Sequence, residues 1–216
     1  MPNHPTNSAP IPHIVLLGDA LGDMPRLQEQ GELESRLLPD LKIPWRLTVI
    51  QADDVINRSI RAEIPTSASY VVISVEGNRA IQSSGLLEGR PVSYEEALAR
   101  LSFAADQFEG VIRTLIKVAQ RAGLPTVVCT MYPPRYSEPV QQRAASAALA
   151  IFNDRIIALA VEARISVVDF RSVCGQADDF GDKGLLSRSG LSKVAQAIWH
   201  ALHESSLSGP RTEIFR

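Results

Sequence analysis

The sequence predicts an α/β domain built on a parallel sheet, and three observations carry that expectation. Short apolar runs recur along the chain, helical patterns alternate with them, and turn residues punctuate the junctions. A short continuous apolar run suits a strand buried on both faces, as the strands of a parallel sheet are. Residues 13–18 (HIVLLG) form the first run and 46–50 (RLTVI) the second. Residues 69–75 (SYVVISV), rich in β-branched side chains, form the third. Residues 125–131 (PTVVCTM) and 165–170 (ISVVDF) are the fourth and fifth.

The intervening segments read as helices. Residues 30–38 and 53–62 are short candidates. Ser93, followed three positions later by Glu96, has the Ser-x-x-Glu form of a capping box. It opens a helix over 93–122 with Leu98, Leu101, Phe108, Ile112, Leu115 and Val118 on an apolar stripe. Gly123 stops that helix, and Pro125 begins the next strand. An Ala-rich helix follows over 139–164, and a last one over 189–205 carries Leu191, Val194, Ile198 and Leu202 on one face. Five strands alternating with helices predict a three-layer α/β/α sandwich, with a doubly wound, flavodoxin-like sheet and right-handed connections. One domain is expected over 13–206, with a flexible leader at 1–12 and a tail at 207–216. In such sheets, sites lie outside the carboxyl ends of the strands, where the strand order switches.

Composition narrows the function classes. The chain has 216 residues, of which 45% are hydrophobic and 21% charged, an ordinary globular balance. The formal net charge is −2, from 22 basic and 24 acidic residues, with no block of one sign. That leaves no electrostatic footprint for nucleic acid or for an anionic membrane. No run approaches the length of a membrane span, and residues 1–12 lack the basic and apolar regions of a signal peptide. A cytoplasmic location is the resulting expectation. Cys129 and Cys174 have no CxxC spacing, and His4, His13, His200 and His203 have no metal-ligand company, so no metal is expected.

The loop after the first strand reads Leu17-Gly18-Asp19-Ala20-Leu21-Gly22-Asp23. It resembles the opening Gly-Asp-Ser motif of the SGNH/GDSL hydrolases. Val75-Glu76-Gly77-Asn78-Arg79 is similar to their Gly-x-Asn-Asp block. Asp182-Lys183-Gly184-Leu185, with Gly190 behind it, matches the position and spacing of their Asp-x-x-His block. Further segments resemble one branch of the family: 97–101, 128–132, 151–156 (IFNDRI), 167–174 (VVDFRSVC) and 193–198. Together they extend the resemblance from about His13 to about Leu202.

The resemblance implies cofactor-independent hydrolysis of carboxylic esters through a serine acyl-enzyme. A serine hydroxyl needs a histidine to take its proton and an aspartate to orient that histidine. The developing oxyanion needs preplaced donors. Transferred onto this chain, Ala20 occupies the nucleophile position and Leu185 the histidine position, so both groups are lost. Asp182 keeps the aspartate position. The backbone N–H of Ala20 and the amide of Asn78 remain as oxyanion donors. The block at 51–57 has no glycine to supply the remaining donor, and Arg79 replaces the Asp of the Asn-Asp pair. Asp19, Asp23, Gly77 and Arg79 would line the pocket.

The expected ligand is a small ester, acyl compound or carboxylate, bound by a catalytically degenerate homologue. Two alternatives stay open. One is an active serine esterase represented here by a nucleophile variant, and the other is a non-enzymatic interaction domain. Asp19 and Asp23 could share acid and base roles, or hold a turn and cap a helix ahead of Pro25. Cys129 and Cys174 read as buried structural thiols or as a redox pair. Arg135, Arg143 and Arg171 read as solvated arginines or as the lining of an anionic pocket. Trp45 and Trp199 read as packing residues.

Overall fold

The computed structural model describes residues 11–18, 46–57, 64–75, 81, 93–132, 135–181, 185–208 and 211–215. Their elements run β1 (His13–Leu17), β2 (Arg46–Ile50), α1 (Ala52–Asn57), β3 (Tyr70–Ile73), α2 (Tyr94–Ala122), β4 (Thr126–Cys129), α3 (Pro139–Ala163), β5 (Ser166–Val168), α4 (Phe170–Val173), α5 (Arg188–Ser208) and β6 (Ile214–Phe215). A 3₁₀ turn at Ala177–Asp179 lies between α4 and α5. The sheet has the order β2-β1-β3-β4-β5-β6 with every pairing parallel.

All five predicted strands are present, and the class is the predicted one. The sheet has six strands rather than five, because residues expected as a tail supply β6. Val167 and Val168 pair with Ile214 and Phe215. Ser166 Oγ donates to Arg211 O at 3.5 Å, and Thr212 Oγ1 donates to Ala160 O at 3.2 Å. The helix candidate at 30–38 and residues 58–62 lie outside the described residues.

Strand alternation explains the three layers. Successive side chains of β1 point to opposite faces. Val15 and Leu17 join Val71, Ile73, Val128 and Val167 beneath α2 and α3, where Ile112, Leu115, Phe152 and Ile156 complete the packing. Ile14 and Leu16 join Val72, Val127, Cys129 and Val168 on the other face, against Val194, Ile198 and Leu202 of α5. Both faces of each central strand are thus covered, which is why these strands read as continuous apolar runs.

The helix ends follow from local chemistry. Ser93 Oγ accepts from Glu96 N–H at 3.1 Å and opens α2. Gly123, at φ 65°, takes the left-handed conformation that closes it. Pro139 sits in the first turn of α3, where its missing N–H is harmless, and Glu138 caps Gln141 N–H at 2.8 Å. The helix ends at Arg164, the sole described non-glycine residue at positive φ, and Ile165 N–H closes on Ala160 O at 2.9 Å before β5 begins. By length and composition α3 is apolar enough to cross a membrane, contrary to the expectation from sequence. Its Ala145, Leu149, Phe152 and Ile156 are packed on the sheet.

Candidate functional site

The strand order switches between β1 and β3: the chain winds outward from β1 to β2 in one direction and from β3 through β6 in the other. The crevice for a ligand in such a sheet opens at the carboxyl ends of those two strands. There Gly18 N–H donates to Ile50 O at 2.9 Å and Ser74 N–H donates to Leu17 O at 3.0 Å. Gly18 has φ 123°, and a Cβ at that position would lie 2.0 Å from Ser74 O. Only glycine allows this backbone approach. The first residue of the Gly-Asp-Ala segment is therefore fixed by geometry.

Of the site residues read from the sequence, Asp19, Ala20, Asp23, Gly77, Asn78, Arg79 and Asp182 lie outside the described residues. Leu185, at the position expected for the catalytic histidine, is described. It is half-buried, and its carbonyl accepts from Gly181 N–H at 2.8 Å. Phe180 and Leu186 form an antiparallel bridge beside it. Ser187 ties the loop further: its N–H donates to Asp179 O at 2.8 Å and its hydroxyl to Asp178 O at 2.6 Å. A Cβ on Gly190 would meet Asp179 O at 2.2 Å, so the start of α5 also depends on a glycine. The described residues on either side of this loop are thus tied together by backbone and side-chain bonds.

Asp179, three residues before Asp182, was not singled out in the sequence. It is fully buried and holds this loop to α5, bonding Lys193 Nζ at 2.5 Å and accepting Gln176 N–H at 2.9 Å. Burial pushes its carboxyl upward, but Lys193 and the Gln176 N–H together leave it below the usual carboxylate range.

A second polar group closes the ends of β4 and β5. Thr130 Oγ1 donates to Asp169 Oδ1 at 2.9 Å and accepts Phe170 N–H at 2.9 Å. Arg171 grips Asp169 through Nε and Nη2, both at 2.7 Å. Burial would raise the Asp169 carboxyl, yet the bonds from Arg171 and Thr130 leave it lowered. Behind it, the fully buried amide of Asn153 accepts Met131 N–H at 2.8 Å and donates to Met131 O at 3.1 Å. An asparagine within an Ala-rich helix is the signal that could have marked Asn153. These groups bond one another and the backbone, and so position the loops.

The remaining candidates separate clearly. His13 lies at the amino end of the sheet, with Nδ1 2.9 Å from Ser67 Oγ and Nε2 2.9 Å from Thr48 Oγ1. His200 packs edge-on against Phe215 at 5.5 Å, His203 is exposed, and His4 lies outside the described residues. Cys129 and Cys174 are both buried and free in one packed cluster. Burial pushes the Cys129 thiol up, and burial with the Asp179 charge pushes Cys174 up to about 11. Neither is an activated thiolate at neutral pH. Trp199 meets Tyr70 edge-on at 6.3 Å as a packing residue, and Trp45 lies outside the described residues. No group of three or more His, Cys, Asp or Glu side chains among the described residues is arranged to hold a metal ion.

No family model matches this chain, and no curated protein matches it. Solved structures do. An extracellular lipase from Streptomyces rimosus superposes with a TM-score of 0.60 at 15% identity, over 88% of this chain and 99% of the lipase. A protein assigned as an SGNH hydrolase from Slackia heliotrinireducens gives 0.56 at 14% identity, over 89% and 100% of the two chains. A lipolytic protein assigned to the G-D-S-L family from Desulfitobacterium hafniense gives 0.57 at 15% identity, over 85% and 98%. The six-stranded parallel sheet with its flanking helices is the fold of the SGNH/GDSL hydrolases and of their lipase and esterase neighbours.

Proposed function

We propose that this chain is a catalytically degenerate homologue of the SGNH/GDSL ester hydrolases that retains a pocket for a small ester, acyl or carboxylate ligand. The observation that supports the proposal is Leu185, which by sequence spacing stands at the histidine of the family's motif and lies on a loop tied by the Gly181–Leu185 and Phe180–Leu186 pairings. In the sequence, Ala20 removes the nucleophile as well. Loss of a triad member leaves about 10³–10⁴-fold acceleration, supplied by binding and the oxyanion hole. Losses within such a unit are not additive, so the second absence lowers activity little further. The proposal needs no cofactor and has the protein acting in the cytoplasm.

The rival reading is a working esterase that lacks only its serine, and Leu185 weighs against it. Hydrolysis of p-nitrophenyl acetate by the natural chain, by Ala20→Ser, and by Ala20→Ser/Leu185→His separates the two. The proposal expects no turnover from the first two and a gain only in the double variant. Turnover by Ala20→Ser alone would favour the rival and require a base outside the loop. Turnover by the natural chain that Asn78→Ala abolishes would overturn the proposal.

A further inference from the structure

Helix α3 is apolar on the side turned to solvent as well as on the side that packs. Ala145, Leu149, Phe152 and Ile156 face the sheet. On the opposite side, by helical spacing, Val140, Ala147, Ile151 and Ala158 are exposed, with Ala150 and Val161 beside them. Val140 and Val161 are 67% and 57% exposed. A surface helix ordinarily puts charged and polar residues on that face. An apolar face that runs the length of a helix marks an interaction surface.

The four charged side chains of α3 divide by direction. Arg155 and Glu162 turn to α2, where Arg155 donates to Asp106 at 3.1 Å and Glu162 accepts from Arg113 at 2.7 Å. Arg143 and Asp154 are exposed on the outward side. Arg143 Nε lies 3.4 Å from Pro139 O, a long bond that a carboxylate would outcompete. The two residues are eleven positions apart. That is about three turns, so they share one edge of the outward face, roughly 16 Å apart along the axis.

Opposite charges near the two ends of one apolar face make it complementary to itself. When a second copy of α3 lies antiparallel, Arg143 meets the partner's Asp154 and Asp154 meets the partner's Arg143. The centre of that arrangement falls between residues 148 and 149, and Ala147 then faces the partner's Ala150. Alanines at a crossing let two helix axes approach closely. A parallel pairing in register sets like charges on each other, so the charges select the antiparallel one. A bilayer is a poorer match, because it would desolvate both charges without pairing them.

We propose that the outward face of α3 is a homodimer interface. Two copies of the chain pack α3 against α3 about a two-fold axis, and reciprocal Arg143–Asp154 pairs fix the register. Covering the apolar face supplies the attraction. Exposed ion pairs add little affinity of their own and act here by excluding other arrangements.

Sedimentation velocity of the full chain over a concentration series tests it. The natural chain is expected to dimerise reversibly. Arg143→Asp leaves only acids on the face and Asp154→Arg only bases, so each variant alone should weaken self-association at least about tenfold. Mixing the two variants should restore dimers that hold one copy of each, which misfolding of either variant could not produce. The double variant Arg143→Asp/Asp154→Arg should dimerise as the natural chain does. Ile151→Asp should abolish the dimer while the far-UV circular dichroism stays unchanged. A natural chain that is monomeric throughout overturns the proposal. So do dimers that both charge variants keep at natural strength, or single variants that stay monomeric when mixed. Flotation of a monomeric chain with phosphatidylcholine vesicles, prevented by Ile151→Asp, would assign the face to a bilayer instead.

Discussion

At the end of β1 the backbone itself makes the turn. Gly18 leaves the sheet at φ 123° with its N–H on Ile50 O, pressed so closely to Ser74 that no side chain fits. At the ends of β4 and β5 the closure is made by side chains: Thr130 and Arg171 converge on Asp169, and Asn153 clamps the backbone of Met131. The first edge lies at the switch in strand order, and the second lies beside it. The bonds described at the β1 edge run through the backbone, whereas the β4–β5 edge depends on the side chains of Thr130, Asp169 and Asn153.

The sharpest way to break this comparison is Gly18→Ala. A methyl group 2.0 Å from a backbone carbonyl, at a φ that L-residues avoid, forces β1 and β3 apart. The expected loss is about 4 kcal/mol or more, in the range reserved for strain and overpacking of a core. Urea unfolding measures it. A loss under about 1 kcal/mol would mean that this edge relaxes freely and that glycine is not what holds it.

Next in size is Asn153→Leu, which tests the edge closed by side chains. The substitution leaves a buried N–H and a buried C=O of Met131 without partners. Each stranded group costs about 1–3 kcal/mol, so a total of about 2–6 kcal/mol is expected from the same unfolding measurement. Fold retention at near-natural stability would show that water replaces the amide.

The contrast also explains which parts could be read from the sequence. The five central strands announced themselves because both faces of the sheet are covered, and the Ser93 and Gly123 caps because their chemistry is local. The sixth strand was missed because β6 is a two-residue pairing, too short to show alternation, and it is fixed by Thr212 and Ser166 through contacts distant in sequence. At the candidate site, Leu185 is singled out in the sequence by its place in a spaced motif. The Asp179–Lys193 bond is not, because it joins a 3₁₀ turn to a helix that only the folded loop brings together.

Asp169→Asn tests the same β4–β5 edge more gently, since Asn keeps an acceptor for Thr130 but loses the charge facing Arg171. A cost of about 1–2 kcal/mol at neutral pH is expected. The folded carboxyl titrates below its ordinary value. Its stabilisation is therefore complete above pH about 4 and is lost as pH falls through the folded pKa. The variant should show a shallower loss of stability in that acid window than the natural chain. An unchanged acid limb would assign the pH dependence to other carboxylates.

The smallest effect is expected at the opposite end of the sheet, where His13 serves as a comparison free of any site chemistry. Burial and the charge of Arg46 lower its pKa, and these outweigh a hydrogen bond with the Ser67 backbone that raises it. The neutral ring can donate to one of Thr48 and Ser67 and accept from the other, whereas the imidazolium needs both hydroxyls as acceptors. The unfolded chain takes up a proton near pH 6.5 that the folded chain resists. Between the folded pKa and that value the unfolded state binds more protons, so stability rises with pH through this window and is level above it. Thermal melts of the natural chain and of His13→Gln between pH 5 and 8 should diverge in slope below pH about 6.5 and run parallel above it. If His13→Gln keeps the slope, the amino end does not sense pH, and the dependence belongs to the carboxylates at the edge where the site lies.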